Sequence, residues 1–252
     1  MVVIDKRNNS FKPLISIVTA TYNAAAHLQG LIASIKAQTD RDFEWVVADG
    51  SSSDDTLDIL KRIEGVSMLV DSQPDYGIYD AFNRAIKLAR GDYYLVVGAD
   101  DRLSSDAIFL FKRCVEESNV PDLVIGKVQI GNHERRSFWN PNMGWLGAHN
   151  VVTAHSVGML IKKNLHELYG YYSLEYIQCA DAYFIKIILK YDLKVVLCDA
   201  LVGNFFLGGV SNIEVNKGLY ENFIIQLRTE KSKSLQVLIY ILRLIKNIGK
   251  FT

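Results

Sequence analysis

Two adjacent carboxylates, Asp100 and Asp101, stand just beyond the apolar run 93–97. Two acids side by side repel each other, and taking them out of water costs free energy unless a cation offsets the charge. A divalent ion that takes oxygen ligands, Mg²⁺ or Mn²⁺, suits that pair, and such an ion commonly carries a substrate phosphate. The pair therefore reads as a metal and diphosphate site at the edge where open α/β sheets bind ligands. Asp also favours turns, so a solvated turn is the competing reading of the pair taken alone. A second acid weakens that alternative. Asp49 closes another strand-like run, 43–48. In a parallel sheet the carboxyl ends of strands lie on one edge, so residues far apart in sequence converge on one crevice.

The elements that must position these acids follow from hydrophobic periodicity. The β-branched run 14–20 predicts a central strand. Helix 27–39 carries Leu28, Leu31, Ile32 and Ile35 on one face, and a helix from Thr56 carries Leu57, Leu60 and Ile63. Strands are expected over 43–48, 67–71 and 93–97, and a helix over 77–90. Strand and helix alternate at the spacing of a parallel, doubly wound sheet with right-handed crossovers. The second half is less regular. Helices are expected over 104–118, 163–168 and 180–191, strands over 123–130, 156–162 and 194–198, and a long aromatic loop over 135–150. Residues 1–12 read as a loose arm. Helices follow from about 213, the last over 234–250.

Composition narrows the class. Hydrophobic residues make up 49% of the 252, enough for a sizeable core. Formal net charge is zero, so nothing points to nucleic acid as a partner. Cys114, Cys179 and Cys198 are three, widely and irregularly spaced, which argues against a disulfide framework or a zinc site and fits a reducing cytoplasm. Residues 1–12 are mostly polar and no run of about 18 apolar residues occurs, so neither a secretory leader nor a spanning helix is expected.

Four ordered motifs carry a likeness. They are Pro13-Leu-Ile-Ser-Ile-Val-Thr-Ala-Thr-Tyr-Asn23, Ala48-Asp-Gly-Ser-Ser-Ser-Asp-Asp-Thr56, Asp75-Tyr-Gly-Ile-Tyr-Asp-Ala-Phe-Asn83 and Gly98-Ala-Asp-Asp101. Over roughly residues 13–205 the chain resembles the family 2 glycosyltransferases of the GT-A fold, most of all bacterial enzymes of cell-surface polysaccharide assembly. Four motifs in order are far more specific than any one of them. The resemblance implies an α/β, mostly parallel sheet of GT-A type over 1–212, with a nucleotide-sugar half at about 13–103 and an acceptor half at about 104–212. A helical extension over 213–252 would follow.

The resemblance also implies roles. Thr19, Thr21 and Tyr22 match positions that touch the nucleotide base and ribose, and Asp49 matches the acid that hydrogen-bonds the base, commonly uracil. Asp80 and Asn83 lie on the helix bordering the donor pocket. Asp100 and Asp101 match the metal-binding motif, with Gly98-Ala99 where relatives often carry Asn-Ser. Asp181 matches the general base of inverting members, with Glu175 as the second candidate. The competing reading of Asp181 is an ordinary helix N-cap. His155 is a candidate for acceptor or phosphate binding or else a structural histidine, and Trp139 and Trp145 are candidates to stack on the acceptor or else to cover the sheet edge.

The implied chemistry is transfer from a nucleotide sugar, commonly a UDP-sugar, to a glycan or lipid-linked acceptor with inversion at the anomeric carbon. Two alternatives remain. A nucleotidyltransferase would carry a Gly-rich basic loop after the first strand, and residues 19–26 hold neither Gly nor Lys. A non-catalytic nucleotide- or glycan-binding scaffold of the same fold would have no need of Asp49, Asp100, Asp101 and Asp181. The tail 231–251 reads as a basic amphipathic helix, suited to the inner face of the cytoplasmic membrane, to its own domain or to a second subunit in a homo-oligomer.

Overall fold

The structure, a computed structural model, describes residues 1–8, 10, 12–152, 155–206 and 215–247. The first half runs β1 (Val2–Asp5), β2 (Ile15–Thr21), α1 (Leu28–Lys36), β3 (Phe43–Asp49), α2 (Thr56–Lys61), β4 (Met68–Ser72), α3 (Ile78–Leu88) and β5 (Tyr93–Val96). The second runs β6 (Arg102–Leu103), α4 (Ala107–Glu117), β7 (Leu123–Ile130), β8 (His133–Arg135), β9 (Met159–Lys162), α5 (Asn164–Tyr169), α6 (Ala180–Ile188), β10 (Val195–Phe205), α7 (Val215–Thr229) and α8 (Lys233–Lys246). One mixed, mostly parallel sheet has the order β1-β4-β3-β2-β5-β9-β7-β10-β6, with β8 paired to β7.

The period of two along each strand feeds both faces of this sheet. Ile15 and Ile17 of β2, with Phe43, Trp45 and Val47 of β3, pack under α1, α2 and α4. Val18, Val46 and Ala48 point the other way and pack under α3 and α6. Both faces are therefore covered, the doubly wound arrangement that the alternating elements imply. β4-β3-β2-β5 is parallel throughout. β9 enters antiparallel between β5 and β7, so the crossover pattern breaks there and the two halves share a single sheet.

Three expectations need correction. Residues 2–5 are not a loose arm: Val2, Val3, Ile4 and Asp5 pair with Ser72, Asp71, Val70 and Leu69 and give β4 an antiparallel neighbour. Within 135–150 the chain forms short 3-10 turns, and His133–Arg135 folds back on β7. Residues 156–158 are likewise a 3-10 turn ahead of the short strand β9. The expected boundary between residues 212 and 213 lies outside the described residues. All three cysteines are free thiols.

A buried polar chain joins the halves. The Tyr94 hydroxyl lies 2.6 Å from His166 Nε2 and 2.9 Å from the Tyr172 hydroxyl, and His166 Nδ1 lies 3.0 Å from the Gly170 carbonyl. That geometry places the ring proton on Nδ1 and makes Nε2 an acceptor. Burial disfavours the imidazolium and holds His166 down to about 4.

This linkage predicts acid sensitivity. Between about pH 6.5 and 4 the unfolded chain protonates this histidine while the folded ring stays neutral, so its contribution is complete above pH 6.5 and falls as pH drops towards 4. From pH 7.5 to 4.5 the native protein should lose about 2–3 kcal/mol more unfolding free energy than His166→Gln. Urea titrations of both proteins at the two pH values measure the difference, and parallel losses would refute it.

Candidate active site

The carboxyl ends of β2, β3 and β4 are knotted around one acid. Asp49 is fully buried. Its Oδ1 accepts from Thr21 Oγ1 at 2.8 Å and from Ser52 Oγ at 2.5 Å, and its Oδ2 from Ser52 N at 2.9 Å and Ser72 Oγ at 2.8 Å. Four donors face this carboxylate and tie the three strand ends together. Thr21 is committed to it, and Thr19, also buried, accepts from Trp45 Nε1 at 3.0 Å. Both threonines lie beneath the crevice floor. Arg84 braces the same edge: Nη2 donates to the Asp49 carbonyl at 2.9 Å, Nη1 to the Gln73 carbonyl at 3.3 Å, and Nε lies 2.9 Å from Asp71 Oδ2.

Above this floor the surface is open. Tyr22 is 69% exposed. The Tyr22 ring and the Asp75 carboxylate converge on Gly50: a Cβ there would come 3.3 Å from Tyr22 Cδ2 and 2.6 Å from Asp75 Oδ2. A Cβ there would push the Asp75 carboxylate aside. The loops after β2 and β3 hold left-handed backbone at Asn23 (φ 48°) and Ser51 (φ 62°), and they are laced together by Ser53 N to Asn23 Oδ1 at 2.8 Å and Asn23 N to Ser52 Oγ at 2.9 Å. Strained backbone held by side chains is common at ligand-binding crevices. Asp75 is the acid that the sequence reading missed. It lies in a quoted motif, but nothing in its spacing says that it folds over Gly50.

Asp80 and Asn83 turn out to hold the chain in place. Asp80, in the first turn of α3, accepts from Tyr76 N at 3.1 Å, and Asp75 Oδ1 accepts from Gly77 N at 3.0 Å. Together they fix the turn at Gly77, whose φ of 114° suits glycine. Asn83 gives Nδ2 to the Tyr172 carbonyl at 2.8 Å and takes the Tyr172 N–H on Oδ1 at 2.9 Å. Its amide ties α3 to the second half through both its nitrogen and its oxygen.

The acidic pair closes on Gly98. A Cβ at that residue would come 2.9 Å from Asp100 Oδ1 and 3.0 Å from Asp101 Oδ2. Asp101 is 2% exposed. Its oxygens accept from Gly98 N at 3.1 Å and Phe206 N at 3.0 Å. Burial, opposed by these two N–H groups and aided by the charge of Asp100, pushes Asp101 up to about 6. The pair offers carboxylate oxygens of the kind a hard divalent cation takes, and among the described residues no third His, Cys, Asp or Glu joins them.

On the second half, Asp181 lies in the first turn of α6 and is exposed. Its Oδ1 accepts from Ala182 N at 2.8 Å and lies 2.9 Å from the Tyr79 hydroxyl, so the carboxylate is held in one orientation. Asp181 is not the N-cap, which is Cys179, but an accessible acid within the first turn. Glu175, the second candidate, is ion-paired with Arg228. The His155 ring stacks on Phe205 at 3.8 Å, and burial holds it down to about 4, so the ring is neutral near pH 7. Trp139 is half-buried on the core, bridged to Val152. Trp145 is 42% exposed, and its carbonyl accepts from Gln226 and Gln236 of the last two helices. It borders a cleft of about 340 Å³ with Lys186, Lys190 and Glu230, a cleft that none of the site acids lines.

The family model described as Glycosyl transferase family 2 matches residues 16–174, more than half of the chain. The chain belongs to glycosyltransferase family 2. It is 35% identical over 157 residues to a PGL/p-HBAD biosynthesis glycosyltransferase of Mycobacterium bovis, covering 61% of this chain and 56% of that protein. It is 34% identical over 107 residues to the chondroitin synthase of Pasteurella multocida, covering 42% of this chain and 11% of that one. The chain thus spans about half the length of the mycobacterial relative. Among solved structures, S. aureus TarS in complex with UDP-GlcNAc superposes with a TM-score of 0.67 at 17% identity over 93% of this chain and 72% of TarS. The mannosyltransferase PcManGT from Pyrobaculum calidifontis, in complex with GDP-Man and Mn²⁺, superposes with a TM-score of 0.65 at 15% identity over 98% of this chain and 79% of that one. At such identities these likenesses speak to the GT-A fold alone.

The placement of Asn83 has a measurable consequence. Asn83→Ala strands a buried N–H and a buried carbonyl at Tyr172, and each such loss costs about 1–3 kcal/mol. The variant should lose about 2–4 kcal/mol of unfolding free energy in urea. A residue serving only a ligand would leave that free energy unchanged.

Proposed function

We propose that this protein is an inverting glycosyltransferase that moves a sugar from a nucleotide-sugar donor, a UDP-sugar by preference, to a glycan or lipid-linked acceptor in cell-surface polysaccharide or glycolipid assembly. The observation that carries the reading is the closure of Asp100 and Asp101 on Gly98 at the carboxyl edge of β5. Residues 1–212 would form the transferase domain, with the donor half at about 13–103 and the acceptor half at about 104–212, and 213–252 the helical extension. The nucleoside would lie over Gly50, between Tyr22 and Asp75, with the buried Asp49 keeping that floor rigid. This shifts the base contact from Asp49 to Asp75, whose Oδ2 lies over Gly50.

Asp100 and Asp101 would hold Mg²⁺ or Mn²⁺. When bound, the ion supplies positive charge against the donor diphosphate. Asp181 takes the proton from the acceptor hydroxyl as its oxygen bonds to the anomeric carbon, and the bond from that carbon to the diphosphate oxygen breaks. The nucleoside diphosphate carries the electron pair away. Attack opposite the leaving group inverts the configuration, and no covalent sugar intermediate forms. Tyr79 positions the carboxylate for that proton transfer.

The lipid-linked alternative for the acceptor draws support from α8. Two polar side chains of this helix turn inward: Gln236 is buried and donates to the Trp145 carbonyl at 3.0 Å, and Arg243 donates to the Leu146 carbonyl. Val237, Leu238, Ile241, Leu242 and Ile245 face solvent. Lys231, Lys233 and Lys246 flank that stripe, and residues 231–247 contain no acid. An apolar stripe bordered by cations fits an anionic lipid surface at the inner face of the membrane, where each nearby Lys contributes about 1 kcal/mol. No helix among the described residues is long and apolar enough to cross a membrane. Lys250 and Phe251, part of the expected amphipathic segment, lie outside the described residues.

Two experiments test this function. With a panel of nucleotide sugars and Mn²⁺, Asp101→Asn should lose transfer and the thermal stabilisation that nucleotide plus metal confers on the native protein. Asp181→Asn should keep that stabilisation and lose transfer by about 10²-fold or more. Equal nucleotide affinity with and without chelator would refute the metal site. For the helix, sedimentation with anionic vesicles at low salt should pull down the native protein. The combined variant Leu238→Ser, Ile241→Ser and Leu242→Ser should stay in solution with nucleotide binding intact. A native protein that ignores vesicles and instead dimerises through these residues would refute the membrane assignment.

A further inference from the structure

Residues 177–179 lead directly into α6, and therefore set where Asp181 stands. Their three backbone N–H groups point at one side chain. Glu221, nearly buried on α7, accepts from Ile177 N at 2.8 Å on Oε1, and from Gln178 N and Cys179 N at 2.9 Å each on Oε2. A run of consecutive N–H groups forms an anion-binding concavity, and here the anion is supplied by the chain itself. The Gln178 peptide is pinned from its other side as well: its carbonyl lies 2.7 Å from the Tyr79 hydroxyl, the same hydroxyl that lies 2.9 Å from Asp181 Oδ1. One proton serves both oxygens, so the position of the Gln178 carbonyl governs how Tyr79 meets Asp181. Asn222, next on α7, adds Nδ2 to the Cys179 Sγ at 3.1 Å.

From this chain of contacts we infer that Glu221 is a positioning residue for Asp181, acting through the 177–179 backbone and Tyr79. The helical extension is then part of the transfer machinery. The inference rests on the reading of Asp181 as the base. Glu221 touches no reacting atom: its carboxylate fixes the entry to α6, and that entry fixes the orientation of the acid. Small displacements of a proton-transfer group cost rate far more than they cost binding.

The variant Glu221→Gln keeps shape but offers one acceptor oxygen and turns an NH₂ towards the backbone donors. Transfer kcat should fall about 10-fold or more, with donor KM and nucleotide affinity within about twofold of native. A double-mutant cycle separates positioning from general support. Asp181→Asn combined with Glu221→Gln should transfer no more slowly than Asp181→Asn alone, because a residue that acts through Asp181 has nothing left to position. Glu221→Asp, which keeps the charge but withdraws it by one methylene, should show a smaller loss of the same kind and serves if the amide variant does not fold. Native kcat in Glu221→Gln, multiplying losses in the cycle, or failure of both Glu221 variants to fold would overturn the inference. Impaired Asp181→Asn with unimpaired Glu221→Gln overturns this inference alone. Native transfer by Asp181→Asn overturns the base reading and this one with it.

Discussion

Everything on the ligand edge of this molecule depends on where one buried charge goes. Asp49 sits at the end of β3 with no exposed surface, and its carboxylate is tolerated there because four donors from β2, β4 and the loop after β3 face it. Burying an ion without such partners would cost several kcal/mol. With them, three strand ends are locked at a common height, the loop at Ser51 is held in a left-handed turn, and Gly50 is left as a bare shelf beneath Tyr22 and Asp75. The same solution does not extend to Asp101. Burial pushes that carboxyl up, the like charge of Asp100 adds to the rise, and two backbone N–H groups oppose it. One edge of one sheet thus holds an acid whose charge is met by four donors and an acid whose burial is met by only two.

The second half is attached to that edge by side chains as much as by strands. Asn83 imitates a peptide and pairs with Tyr172, the Tyr94–His166–Tyr172 chain runs through the core between β5 and α5, and Tyr79 reaches from α3 to α6. Buried polar groups of this kind are worth little when paired and cost much when unpaired, so they fix relative placement more than they add stability. The last two helices extend the pattern. Glu221 grips the entry to α6, and Gln226, Gln236 and Arg243 grip the carbonyls of Trp145 and Leu146. With Gln236 and Arg243 on its inner side, α8 leaves Val237, Leu238, Ile241, Leu242 and Ile245 exposed.

The alternation of strand and helix, the two covered faces and the strand ends bearing Asp49 and Asp100–Asp101 were legible in the sequence because they rest on local periodicity. The family was legible because four short motifs kept their order. Residues 1–12 were misread as an arm, since Val2–Asp5 becomes a strand only by borrowing the edge of β4. Asp49, Asp80 and Asn83 were placed correctly on their elements, but their partners come from chain segments that no local pattern names, and those partners turn each of them into a support. Asp75 and Glu221 went unseen for the converse reason. One is a turn residue and the other a surface-like position on a helix, until tertiary structure brings a glycine or three N–H groups against them.

The antiparallel entry of β9 between β5 and β7 also dictates an order of events at birth. As the chain leaves the ribosome, β2, β3, β4 and β5 can assemble before β9 is made, since their partners in the parallel part of the sheet are all synthesised ahead of it. The outer edge of β5 then stays open until Met159–Lys162 has been synthesised, a wait on the order of seconds at ordinary translation rates. An unpaired, apolar strand edge is a template for joining with other chains. The nascent protein therefore passes through a window in which its own central strand is its most adhesive surface. The four residues of β9 close that window.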